Sequence, residues 1–219
     1  MEKWKKEEWK RNWGREYDRP IKKGWLSPLF NEMESKGEFG EVIVDVGSGE
    51  DPVSDFIPGK HKVITIDLHG EEGSYCNNEV HVNTDIERAA DEDTYSAKKL
   101  ILKISKFLGI NLRGEQSKEK VNSMVFSEIL NYVNYQEVLR SCAQYLKPGG
   151  RFVILNMPTR GHKKLYSKKG LKNNSDLYNF LKDGNFEIEK KMFPWAADEK
   201  DLEKEEGEMI LLVARKKET

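Results

Sequence analysis

The stretch that most limits what this chain can fold into is Glu41 to Glu50, which reads E-V-I-V-D-V-G-S-G-E. Val42, Ile43, Val44 and Val46 make a β-branched apolar run, the composition of a strand covered on both faces of a parallel sheet. The run stops at Gly47-Ser48-Gly49, where the missing Cβ atoms let the backbone turn sharply and come close to a ligand. Asp45 is the last polar group before the turn, at the carboxyl end of the strand, where open α/β sheets place their ligands. A plain strand-to-helix turn would use the same glycines, so the flanking residues have to decide. A dinucleotide fingerprint, G-x-G-x-x-G, requires a third glycine where this chain has Pro52. Glu50 and Asp51 would also repel a pyrophosphate at close range. The turn therefore suits a cation, or a ligand of little negative charge, and it conflicts with a nicotinamide-dependent dehydrogenase.

A chain of 219 residues suits one domain, or one domain with appendages. With 34% charged residues and no apolar run long enough for a membrane span, it reads as a soluble, cytoplasmic protein without a membrane partner. The charged, tryptophan-bearing opening from Met1 to Lys10 is unlike a signal peptide. A net charge of -1 lacks the basic excess of a nucleic-acid binder. Cys76 and Cys142 lie far apart with no metal-ligand spacing around them, so neither a disulfide nor a metal site is expected. Cys142 falls on an expected helix and reads as core.

Residues 1–40 read as an N-terminal helical extension. Trp9, Trp13 and Tyr17 are four apart and would form one aromatic stripe on a helix. The stripe serves either packing or a lid over a cofactor and substrate, with Arg15 and Tyr17 as polar contacts. Trp25 to Met33 looks like a second short helix started by Ser27-Pro28. Beyond the glycine turn, Pro52 to Ile57 opens a short helix, and Lys62 to Ile66 is a second strand ended by Asp67. An acid at that point, near twenty residues past the glycines, can accept hydrogen bonds from two ribose hydroxyls. Leu68 would then lie against the adenine face. Glu79 to Asn83 is a third strand, followed by Asp85, placed to accept from an exocyclic amine, and Ile86, which offers its backbone N–H. Residues 88–120 form an inserted helical segment, with Leu100, Ile101, Ile104, Phe107 and Leu108 at helical spacing. Val121 to Phe126 is a fourth strand. Tyr135 to Leu146 is an amphipathic helix stopped by Lys147-Pro148-Gly149-Gly150, and Arg151 to Leu155 is a fifth strand. A helix over 174–183 and strands over 186–192 and 209–214 complete the chain.

Two of these motifs carry a family resemblance. The D-x-G-x-G of Asp45 to Gly49 resembles the first motif of the class I, seven-strand S-adenosylmethionine-dependent methyltransferases. The run L-K-P-G-G-R-F-V-I-L, Leu146 to Leu155, is similar to that family's fourth-helix to fifth-strand junction. The resemblance spans roughly Val42 to Arg215 and leaves out 1–40 and 88–120. It implies a doubly wound, mostly parallel α/β sheet of seven strands with helices on both faces and an antiparallel last strand. It also implies S-adenosyl-L-methionine as cofactor and S-adenosyl-L-homocysteine as product. Asp45, Gly47, Ser48 and Gly49 would then hold the methionine portion, Asp67 and Leu68 the adenosine, Asp85 and Ile86 the adenine, with Ser127 and Tyr17 beside the cofactor. On the acceptor side, Glu128 and Tyr132 after the fourth strand and His162 after the fifth are the candidate bases or orienting groups. The fourth strand lacks the [D/N]-P-P-[Y/F] ending of base-amino methylation. The acceptor reads as an O or N nucleophile of a small molecule, with a protein or RNA acceptor, or a non-catalytic cofactor-binding module, as the alternatives. Neither the acceptor's identity nor the oligomeric state is legible.

Overall fold

Strands that are apolar on both faces must be covered on both faces, and the architecture of this chain follows from that need. The computed structural model describes residues 15–49, 52–57, 61–67, 73–76, 78–89, 121–158, 166–192 and 208–218. Within them the chain runs α1 (Arg15–Ser35), β1 (Val42–Val46), a 3-10 turn (Val53–Asp55), β2 (Lys62–Asp67), β3 (Gly73–Cys76), β4 (Glu79–Asn83) and α2 (Ile86–Ala89). It continues with β5 (Val121–Ser127), α3 (Tyr135–Tyr145), β6 (Leu146–Asn156), α4 (Asn174–Asp183), β7 (Phe186–Met192) and β8 (Ile210–Lys216).

The strands form one sheet in the order β3-β4-β2-β1-β5-β6-β8-β7. β4, β2, β1, β5 and β6 are parallel, and β8 runs antiparallel between β6 and β7. All seven expected strands are present, in a doubly wound sheet with an antiparallel last strand. An eighth, β3, adds an antiparallel edge to β4. Sequence reading missed it because Gly73-Ser74-Tyr75-Cys76 has neither a β-branched run nor an alternating pattern. The chain leaves β1 toward β2 and β4 on one side and returns through β5 and β6 on the other. The switch point of the sheet therefore lies between β1 and β5, the place where such sheets open a crevice at their carboxyl ends.

Alternation along each strand sends side chains into two cores. On one face Val44, Met124, Phe126, Phe152, Ile154 and Leu212 pack under α3 and α4. α3 contributes Val138, Leu139 and Cys142, and α4 contributes Leu177 and Leu181, each set at helical spacing. On the other face Ile43, Val125, Val153, Leu155, Leu211 and Val213 pack under α1 and the 3-10 turn.

α1 differs from the expectation of a short helix beginning at Ser27-Pro28. It is one helix of 21 residues that passes through Pro20 and Pro28. An interior proline costs a helix about 3 kcal/mol. Leu26 before Pro28, and Leu29, Phe30 and Met33 after it, are all buried, at about 1.5–3 kcal/mol each. That burial exceeds the cost and keeps the helix continuous. Its end is a Schellman turn: Gly37, at φ 67°, donates to the Glu34 carbonyl and Glu38 donates to that of Met33. The Lys-Pro-Gly-Gly run also behaves differently from a simple turn. β6 already begins at Leu146, and the run is a bulge between the pairings Val121 with Leu146 and Ser123 with Arg151. No helix among the described residues is long and apolar enough to cross a membrane.

Candidate functional site

The glycine turn after β1 is fixed from beneath and from the side. Gly47 N–H donates to the Ile66 carbonyl at 2.8 Å, and Ser48 N–H approaches the same oxygen at 3.4 Å. Asp45 is fully buried, and its Oδ2 accepts a 2.8 Å bond from Val53 N–H, which ties the end of β1 to the 3-10 turn. Gly47 (φ 75°) and Gly49 (φ 62°) both occupy the left-handed region that favours glycine. Their surroundings differ. A Cβ on Gly47 would stand 2.7 Å from Ile129 Cγ1, whereas a Cβ on Gly49 would have nothing within 4 Å among the described residues. Gly47 thus lets the turn pack against the loop after β5, and Gly49 borders open space at the sheet's carboxyl edge.

Asp67 joins this turn to the next strand. Its Oδ2 accepts from Gly49 N–H at 2.9 Å, and its backbone carbonyl accepts from Thr84 N–H at 2.8 Å, so the ends of β1, β2 and β4 are held side by side. Asp85 Oδ1 accepts from Glu87 N–H at 3.1 Å, opening α2 just ahead of Ile86. Glu87 Oε1 in turn accepts from Asn134 N–H at 3.0 Å, which links α2 to the start of α3. Across the switch point, Ser127 ends β5. It is 3% exposed, and among the described residues its Oγ has no hydrogen-bond partner. A buried hydroxyl left without a partner is costly enough to call for a ligand or a water.

The loop beyond Ser127 carries the acceptor-side candidates. Glu128 is buried, has a left-handed backbone (φ 59°) and donates its N–H to the Leu155 carbonyl at 2.8 Å. Asn131 Nδ2 donates to the Met157 carbonyl at 2.8 Å, and its Oδ1 accepts from Asn156 Nδ2 at 2.9 Å, so the β5 and β6 loops are locked together. The Tyr132 ring meets Tyr166 edge to face, with centroids 5.3 Å apart. The Tyr166 hydroxyl titrates above the ordinary tyrosine value, mainly because it is withdrawn from water and secondarily because of the Glu128 charge, while a hydrogen bond with Asn131 opposes the shift.

The structure therefore brings Asp45, Gly47, Ser48, Gly49, Asp67, Asp85, Ile86 and Ser127 to one edge of the sheet, with Glu128 and Tyr132 beside them. Leu68 and His162 lie outside the described residues, as do Trp9, Trp13, Glu50 and Asp51. Tyr17 falls in α1, but its side chain is outside those described. Tyr166 was missed by sequence reasoning, since it follows no strand directly and shares no spacing with another functional residue. Among the described residues no three His, Cys, Asp or Glu side chains are grouped to hold a metal.

No protein-family model matches this chain, and no curated protein matches its sequence. Solved structures do match its fold. Burkholderia thailandensis 1,6-didemethyltoxoflavin-N1-methyltransferase, crystallised with 1,6-didemethyltoxoflavin and S-adenosylhomocysteine, superposes with a TM-score of 0.58 at 15% identity, over 92% of this chain and 82% of that one. An S-adenosylmethionine-dependent methyltransferase from Mesorhizobium loti gives 0.53 at 17% identity, over 86% and 96% of the two chains. The N-methyltransferase NodS from Bradyrhizobium japonicum gives 0.54 at 10% identity, over 88% and 95%. The fold is that of the class I methyltransferases. At these identities the likeness establishes architecture, and function has to be argued from the site.

Proposed function

We propose that the chain is an S-adenosylmethionine-dependent methyltransferase acting on an O or N nucleophile of a small molecule. The observation that carries this reading is the meeting of four loops at the switch point. A glycine turn open at Gly49, the Asp67 carboxylate bonded to that turn, Asp85 with Ile86, and the Ser127 hydroxyl, without a partner among the described residues, stand along the same carboxyl edge of the sheet. The residues fit the cofactor chemically. Acidic groups suit a ligand with a sulfonium and an amino group, and a carboxylate at the end of β2 suits a ribose diol.

When bound, S-adenosylmethionine supplies an electrophilic methyl group. In this reading the chain's own contribution is mostly placement. Asp45 and the β2 carbonyl of Ile66 hold the turn, Asp67 takes the ribose hydroxyls, Asp85 and Ile86 select adenine, and Ser127 meets the cofactor from the β5 side. Correct orientation of this kind removes several kcal/mol from a bimolecular barrier, about 7–11 at best. In this reading the chain is a cytoplasmic enzyme. Isothermal titration with S-adenosylhomocysteine and with NAD tests the reading. Binding of the thioether alone is expected, and binding of NAD alone would end it.

A further inference from the structure

Among the described residues only Glu128 and Asn185 combine a side chain with a left-handed backbone. Asparagine tolerates that region, and Asn185 sits in the turn between α4 and β7. Glutamate has no such tolerance and is strained there. The strained position puts a buried carboxylate at the switch point, directly after Ser127, where it acts electrostatically on the Tyr166 hydroxyl. Two tyrosine rings, those of Tyr132 and Tyr166, stand at right angles beside it and remain partly exposed. Tyr166 is fixed in this place by the backbone. Ser167 N–H donates to the Asn131 carbonyl at 3.1 Å, and Leu171 N–H donates to that of Leu130 at 2.9 Å. A Cβ on Gly170 would lie 2.1 Å from the Asn131 carbonyl oxygen, so that segment lies flush against the loop.

A buried carboxylate with two partly exposed aromatic faces is the composition of a site for an organic cation. The charge comes from the acid, and the rings add the attraction of their negative faces. The site stands beside the crevice assigned to a positively charged donor. A cationic acceptor there would be repelled unless an anion stood between the two.

Building on the methyltransferase reading of this crevice, we propose that Glu128, Tyr132 and Tyr166 form the acceptor site and that the acceptor is an organic amine arriving in its protonated form. Glu128 pairs with the ammonium and then takes one proton from it, which frees the nitrogen lone pair. The new N–CH3 bond forms as the methyl group's bond to the donor sulfur breaks, and that bond's electron pair stays on sulfur as its positive charge is discharged. The proton leaves Glu128 for solvent, so one proton is released per methyl transferred. Tyr166 and Tyr132 hold the amine in line.

The test uses 2-phenylethylamine and its neutral analogue 2-phenylethanol, each titrated calorimetrically into the protein saturated with S-adenosylhomocysteine. The amine is expected to bind the wild-type protein about tenfold more tightly than the alcohol. Glu128→Gln should abolish that preference by weakening the amine far more than the alcohol, and Tyr166→Leu should also weaken the amine more than the alcohol. The wild-type comparison needs no variant to fold. Equal affinities, failure of both probes to bind, or equal loss of both in Glu128→Gln would overturn the amine assignment alone. Failure of S-adenosylhomocysteine to bind in the first titration overturns the cofactor reading and this one with it.

Discussion

At the scale of single residues, the two glycines of the β1 turn make different demands on their surroundings. Gly47→Ala combines a φ of 75° with a Cβ 2.7 Å from Ile129, so the expected loss is about 2–3 kcal/mol of stability and most of the affinity for S-adenosylhomocysteine. Among the described residues Gly49→Ala meets no neighbour, so the left-handed backbone sets an expected cost of about 1 kcal/mol. Urea unfolding and calorimetry on the pair separate strain from collision. Asp67→Asn keeps an acceptor for Gly49 N–H but gives up the charge, so it should weaken S-adenosylhomocysteine about tenfold or more while the unfolding midpoint moves little. Cys142 shows the opposite kind of residue. Burial pushes its thiol up to about 12, and the thiolate is the reactive form. Iodoacetamide should therefore spare Cys142 in the native protein and label it only as urea unfolds the chain, with peptide mass mapping to distinguish it from Cys76. The placement of Asp45, Asp67, Asp85 and Ser127 at the carboxyl edge of the sheet was legible because each stands at or just past a strand end that the sequence marks. Tyr166 was not, because its place beside Tyr132 arises from a loop folding back on Asn131, a tertiary contact with no local pattern.

At the scale of elements, legibility followed the strength of the local signal. α4 and β7 have the boundaries the sequence implied. Asn173 caps α4 by accepting from Asp176 N–H at 2.7 Å, and Gly184 follows the last turn. Local pattern alone starts a new helix at Ser27-Pro28, because a proline is a strong local signal, whereas the apolar contacts that override Pro28 belong to the sheet. Register in the late strands likewise depends on packing, since Leu211, Leu212 and Val213 are apolar without alternation and are buried on both faces. The segment holding Tyr166 makes a prediction at this scale. Gly170→Ala would drive a methyl group into the Asn131 carbonyl, and backbone cannot yield as a side-chain tip can. About 2–3 kcal/mol of destabilisation is expected by urea unfolding, together with loss of amine binding, because the ring contact is displaced with the segment.

At the scale of the whole molecule, one buried acid couples the sheet to pH. Glu79 begins β4 and titrates above the ordinary carboxylate value of 4.5, chiefly because burial disfavours its charge. A hydrogen bond from Ser54 opposes the shift, the Asp55 charge adds to it, and His81 opposes it. Between its unfolded and folded values the native protein holds a proton that the unfolded chain has released, so stability falls as pH rises through that interval. Glu79→Gln should remove that slope and raise the unfolding midpoint at neutral pH, as measured by urea titrations near pH 5 and pH 7. The outermost strand has a further consequence. β7 bears Glu187, Glu189, Lys190 and Lys191, and its register with β8 shifts at Glu189. Arg215 binds Glu187 at 2.9 Å, and Arg151 binds Glu189 at 2.7 Å. A kinked rim studded with ions is a poor template for strand addition. With a net charge of -1, two copies in solution scarcely repel one another at long range, so the burden of keeping them from zipping into fibrils falls on this border, and valines in place of Glu187 and Lys191 should turn a clear solution cloudy.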